Sequence, residues 1–204
     1  MASRILPLVV LAAAFISRAL AADITVKVSD AAGHPLPEAV VYLRGAGVAA
    51  VGAPAQVTID QKNKQFAPQI SVVSVGTAVA FPNSDQIRHS VYSFSPAKPF
   101  TIKLYAGKPP APVVFDHEGI VVLGCNIHDA MAAWVAVVDT PLFGKTDSSG
   151  VLVLHGVRPA SYELAAWYPG MESGPQTQTM AVTGVDAVSR EVRLPVSPLG
   201  NAGQ

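Results

Sequence analysis

From Ala22 to Leu194 apolar residues recur at every second position or in short runs closed by glycine, proline, asparagine or aspartate, and no long stretch keeps a helical spacing. That pattern predicts an all-β chain. Ile24, Val26 and Val28 alternate with Thr25, Lys27 and Ser29, then residues 31–35 turn and 39–43 form a second strand. Further strands are predicted at 57–60, 70–75, 78–81, 89–94, 100–105, 120–125, 132–138, 151–154 and 161–167, with a last one around Val192 and Leu194. His155 would end its strand beside Gly156. Residues 108–112, Lys-Pro-Pro-Ala-Pro, form an extended loop, because proline cannot donate to a central sheet. Short strands at this spacing build a sandwich or a barrel, and the length leaves room for two such units.

The start of the chain breaks the pattern. Arg4 precedes an apolar run at 5–16, and small residues follow, ending in Ala19-Leu20-Ala21. The run is too short for a spanning helix, which needs about 20 residues. It has the form of an export signal, 1–21, cut after Ala21, which predicts a periplasmic product with no membrane span, the alternative being an uncleaved anchor because Arg18 lies close to the cut. Removing Arg4 and Arg18 leaves 12 basic residues against 14 acidic ones. There is no basic surplus for nucleic acid. With 204 residues, half of them hydrophobic and 14% charged, the chain can bury a sizeable core.

One cysteine, one of five histidines and one of four methionines fall within seven positions of the stretch "LGCNIHDAM", 123–131. In an oxidising compartment a cysteine without an intramolecular partner is either a buried, inert side chain or a thiolate committed to a metal. Strand alternation puts Val121, Leu123 and Cys125 on one face, and the loop 126–130 can return His128 and Met131 to the same point. Two imidazoles, a thiolate and a weak thioether make the blue-copper ligand set. The second imidazole must come from another strand, and His89, which follows the polar loop "FPNSDQIR" and opens "HSVYSF", is best placed. Zinc is the competitor, since one Cys and two His also suit it. Methionine serves zinc poorly, however, and recruiting Asp129 would turn its neighbour His128 away. His34, His117 and His155 read as surface or capping groups, and Asp85 and Asp129 as loop-capping carboxylates.

The run from Phe66 through Val75-Gly76, Val79, Phe81, Asn83, Asp85, His89 and Val91, then Phe115, Gly119, Cys125, His128 and Met131, resembles the small blue-copper cupredoxins. The Cys-x2-His-x2-Met spacing is similar to that of amicyanin, whose ligand loop is shorter than that of plastocyanin. The pattern "FPNSD...HSVYSFS...LGCNIHDAM...VVDTP" looks like bacterial methylamine-utilisation, amicyanin-like proteins, over about residues 55 to 140. The resemblance implies a Greek-key β-barrel holding one type I copper on His89, Cys125, His128 and axial Met131. It implies an electron port at His128 with Ile127 and Ala130 around it, and transient docking of redox proteins such as a cytochrome or a dehydrogenase. Asn83 and Ser90 would pin the two ligand loops. Cupredoxins often carry asparagine after the first histidine ligand, where this chain has Ser90.

The residues argue for a carrier and against an enzyme. Oxygen-reducing copper oxidases need histidines flanking the cysteine, and here the flanks are Gly124 and Asn126. No Ser-His-Asp order, paired-carboxylate motif or glycine-rich phosphate loop stands out.

"VSDAAGHPLPEAVVYL" and "GKTDSSGVLVLHGVRPASYELAAWYPG" resemble the two halves of a carboxypeptidase regulatory-like, transthyretin-like sandwich. The expected organisation is therefore an accessory sandwich from 22–50 and 140–198, a copper module at 51–139 inserted between the halves, and a tail at 199–204. Two domains in series is the alternative. Trp134 should pack against the second module and Trp167 within a core. A rival function follows from this module, carbohydrate or protein binding through exposed aromatics, for which Tyr162, Trp167 and Tyr168 are on offer. Copper delivery is a third possibility.

Overall fold

A computed structural model describes residues 21–48, 56–108, 111–128 and 130–199. Residues 1–20 of the export signal expected at 1–21, the expected module boundary between 50 and 51, Pro109-Pro110, Asp129 and the end of the tail lie outside the described residues. Those described form seventeen strands and no helix. In chain order they are β1 (Ala22–Ser29), β2 (Val40–Arg44), β3 (Val57–Thr58), β4 (Asp60–Lys62), β5 (Gln65–Ala67), β6 (Ile70–Ser74), β7 (Thr77–Ala80), β8 (His89–Ser93) and β9 (Phe100–Tyr105). There follow β10 (Val113–Phe115), β11 (Gly119–Gly124), β12 (Ala132–Val138), β13 (Phe143–Lys145), β14 (Val151–Val157), β15 (Ala160–Trp167), β16 (Gln176–Val182) and β17 (Val188–Arg193).

The two ends of the chain share sheets. One sheet runs β14-β1-β17 and a second β13-β2-β15-β16, so strands from 22–44 pair with strands from 143–193. Ile24, Val26 and Val28 point from β1 into the core between these sheets, where Leu36, Leu164 and Met180 also lie. Thr146 locks the arrangement from within: its buried hydroxyl accepts the Ala39 N–H at 2.9 Å and donates to the Leu36 carbonyl at 2.6 Å. Trp167 lies in this core.

The middle of the chain builds its own sheets, β6-β12-β11-β8-β9 and β10-β7-β3, with the β4-β5 ribbon beside them. Phe66, Val79, Phe81, Val91, Phe115, Val121 and Leu123 fill the core they enclose, and Cys125 and Met131 belong to it.

β12 is the common wall. Ala133, Val135 and Val137 face the core that holds Cys125 and Met131, while Ala136 and Val138 lie in the core of the outer sandwich and Trp134 packs against it. Alternating residues of a strand point to opposite faces, so an apolar run buried on both sides is what two cores require. β6 runs parallel to β12 and splits in the same way, Ile70 to the outer core and Val73 to the inner. Ion pairs of Arg44 with Glu118, 2.9 Å, and Asp139, 3.3 Å, also join the two parts.

Several predicted boundaries shift. The strand expected at 57–60 breaks at Ile59, whose side chain is wholly buried, and pairing resumes in β4. β5, β10, β13 and β16 had no predicted counterpart, and β17 begins well before Val192. β14 continues to Val157, so His155 lies within the strand, its Nδ1 2.9 Å from the Asp23 carboxylate.

Candidate metal centre

His89 opens β8 and Cys125 follows the last residue of β11, strands that meet at the pair Gly124↔Tyr92. Alternation along β11 buries Val121, Leu123 and Cys125 and exposes Val122. The cysteine sulfur is therefore carried inward at the end of β11, into the core between the sheets. The following loop folds back, with the Met131 N–H donating to the His128 carbonyl at 2.9 Å. One ligand atom each from His89, Cys125 and His128 lies within 4.8 Å of the others. The two imidazole rings are 5.1 Å apart, centroid to centroid. Met131, 2% exposed, lines with Cys125 a cleft of about 480 Å³.

His89 is completely buried, with Nδ1 3.7 Å from the Cys125 sulfur and Nε2 2.8 Å from the Asp85 carboxylate. An ionised carboxylate only accepts, so Nε2 carries a proton and donates it to Asp85. Asp85 also accepts the N–H groups of Asn63, 2.7 Å, and Lys64, 2.9 Å. Those two residues have φ of 56° and 57° and join β4 to β5, the backbone of a two-residue type I′ hairpin. Burial pushes the Asp85 carboxyl up, but the Lys64 N–H, the His89 ring and the Asn63 N–H together hold it below the usual range. Asp85 thus caps a turn, as its sequence position suggests, and also fixes the orientation of His89. That second role depends on a contact with a distant hairpin; an Asn at the first turn position was the available clue.

Asn83 shapes the loop that leads to His89. Its Nδ2 donates to the carbonyls of Ile87, 2.9 Å, and Tyr105, 3.0 Å, while its Oδ1 accepts the Asp85 N–H at 3.0 Å. Ser90 bridges the two loops: its hydroxyl accepts the Asn126 N–H at 3.0 Å and lies 3.9 Å from the Cys125 sulfur. Burial raises the Cys125 pKa, yet the backbone N–H groups of Ile127 and Ser90, with His89 and the Ser90 hydroxyl, outweigh it and hold the thiol below its ordinary value.

His128 Nδ1 is buried and has no hydrogen-bond partner among the described residues. A buried nitrogen left unpaired costs about 1–3 kcal/mol. A cation bound between the sulfur and the two imidazoles would take up that lone pair, so the residues present fit a metal ion. Ile127 and Ala130 are exposed beside His128. His34, His117 and His155 lie at the exposed surface against Asp30, Asp116 and Asp23, outside this group. Tyr162, Trp167 and Tyr168 are all buried.

No protein-family model matches the chain, and no curated protein matches it. Among solved structures it is similar to a copper-containing nitrite reductase from Thermus scotoductus SA-01 at 26% identity, over 45% of this chain, with a TM-score of 0.39. It spans only 25% of that reductase. A purple cupredoxin from Nitrosopumilus maritimus matches at 24% identity over 41% of this chain and 99% of its own, TM-score 0.36. Amicyanin from Paracoccus versutus matches at 13% identity over 45% of this chain and 98% of its own, TM-score 0.37.

Proposed function

We propose that the protein is a type I copper protein of the periplasm that carries single electrons between redox partners. The observation behind this reading is the convergence of His89, Cys125 and His128 within 4.8 Å, with the His128 Nδ1 buried and unpaired. His89, Cys125 and His128 would hold the copper, and Met131 would add a weak thioether ligand. Copper over zinc is supported by ligand softness: the side chain buried beside the thiol is a thioether, which zinc uses poorly. Bound copper supplies a one-electron couple between its two oxidation states.

The chain's own groups set the conditions for fast transfer. The Asp85 carboxylate keeps the His89 ring in one tautomer, and Ser90 ties the His89 strand to the Cys125 loop. Little has to move when the charge of the site changes. His128 lies beside Ile127, 48% exposed, and Ala130, which provide an apolar rim for a partner such as a cytochrome or dehydrogenase. Transient redox contacts are small, below about 1,200 Å². In the same reading the copper module, 51–139, is inserted in a sandwich made by 22–50 and 140–198. With Tyr162, Trp167 and Tyr168 buried, that sandwich offers none of them as an exposed platform for carbohydrate.

A spectroelectrochemical titration of the copper-loaded protein tests the function. The carrier reading requires a reversible one-electron curve with copper retained through repeated cycles. Loss of copper on reduction would overturn it in favour of delivery.

A further inference from the structure

We propose that the sandwich formed by the two ends of the chain sets the position of Met131 through Trp134, which makes Trp134 a positioning residue for the thioether ligand. The inference rests on the copper reading above.

Met131 ends the ligand loop and β12 starts at the next residue, so the register of β12 decides where its side chain lies. The strand pairs Gly124↔Ala132 and Leu123↔Ala133 with β11 on one side, and Trp134↔Ile70 with β6 on the other. The Trp134 N–H donates to the Gln69 carbonyl at 2.9 Å. A slip of one residue would exchange the two faces of the strand. Ala133, Val135 and Val137 on the inner face differ little in size from Ala136 and Val138 on the outer face, so these alone discriminate the two registers poorly. Trp134 has no counterpart on the inner face. Its ring packs against the outer core, and moving it inward would place an indole among Phe81, Phe115 and Leu123.

Trp134 is also where the outer cover stops. Beside it, its register partner Val122 on β11 is 46% exposed, and Phe94, past the end of β8, is 82% exposed. It is thus the contact with the outer sandwich nearest in sequence to Met131. Lys145 of β13 secures the neighbouring strand, with Nζ donating to the Ile70 carbonyl at 2.8 Å while pairing with Glu38. Ile70 is the register partner of Trp134. The chain's two ends therefore grip the β6-β12 pair at the level of Trp134, and the ligand loop extends from that grip.

The test compares wild type, Trp134→Ala, Trp134→Phe and Leu164→Ala, the last a truncation elsewhere in the outer core. Two signatures are read. One is the methyl NMR resonance of Met131 in the metal-free protein, and the other is the ratio of the thiolate-to-copper bands after copper loading. Trp134→Ala is expected to displace both, Trp134→Phe to restore them at least in part, and Leu164→Ala to leave both in place at a comparable loss of melting temperature. A folded Trp134→Ala with wild-type signatures overturns the proposal, as does an equal displacement by Leu164→Ala. If Trp134→Ala does not fold, Lys145→Met, which cuts the tie to Ile70, replaces it with the same two outcomes. A wild type without a copper band would refute the copper reading separately, while the metal-free Met131 resonance still decides the positioning.

Discussion

The Asp85 carboxylate lies 2.8 Å from His89 Nε2 and, through the same two oxygens, holds the Asn63-Lys64 turn. One side chain thereby fixes both the orientation of a buried imidazole and the hairpin next to it. A carboxylate behind a ligand histidine fixes its tautomer and raises its basicity. Asp85→Ala is expected to lower copper affinity about 10- to 100-fold, measured by competition with a chelator. Asp85→Asn should also weaken binding, because its amide presents a donor where the carboxylate serves three donors. Unchanged affinity in both variants would remove Asp85 from the site.

Ser90 connects the strand of His89 to the loop of Cys125 through the Asn126 N–H. Ser90→Ala removes that acceptor and one donor near the sulfur, at an expected cost of about 1 kcal/mol. Denaturant unfolding checks the magnitude, and faster hydrogen exchange at the Asn126 amide checks the location. If exchange there is unchanged, the bridge does not form in solution.

Gly124 stands before the cysteine because the Tyr92 ring occupies the space of a side chain there. A Cβ at position 124 would lie 2.5 Å from the ring. Gly124→Ala is expected to destabilise the protein by about 1–3 kcal/mol through overpacking. Tyr92→Ala in the same chain should recover most of that loss, since the two positions touch. Additive effects in the double variant would contradict the contact.

Thr146 joins the two ends of the chain through the Ala39 N–H and the Leu36 carbonyl. Thr146→Val keeps the shape but leaves both backbone groups without this partner, for an expected loss of about 1–3 kcal/mol. Thermal unfolding of the full chain measures it. A neutral effect would mean that the hydroxyl does not close the outer sandwich.

The strands that could be read from the sequence were those with one wet and one dry face, such as β1, or a short apolar run between turn residues, such as β6. The strands that escaped notice are polar or brief. Gln176–Val182 presents glutamines and threonines with only Met180 and Val182 buried, and Phe143–Lys145 is held mainly by its neighbours. β12 was legible as a strand, but its division between two cores was visible only in the place of Trp134. At the candidate metal centre the chemical types of Cys125 and His128, and the loop before His89, pointed to three residues whose ligand atoms lie within 4.8 Å of one another, and Met131 is buried in the same cluster as Cys125. The role of Asp85 was not legible, because it depends on a hairpin about twenty residues upstream meeting the loop in space.

The measurement that tests the central claim most directly is the visible absorption spectrum of the purified protein after addition of Cu(II), taken beside Cys125→Ser. An intense thiolate-to-copper band in the wild type, absent from Cys125→Ser, is the predicted result. A colourless wild type that binds zinc instead, or binds no metal, would contradict the copper site and the electron-carrier function built on it.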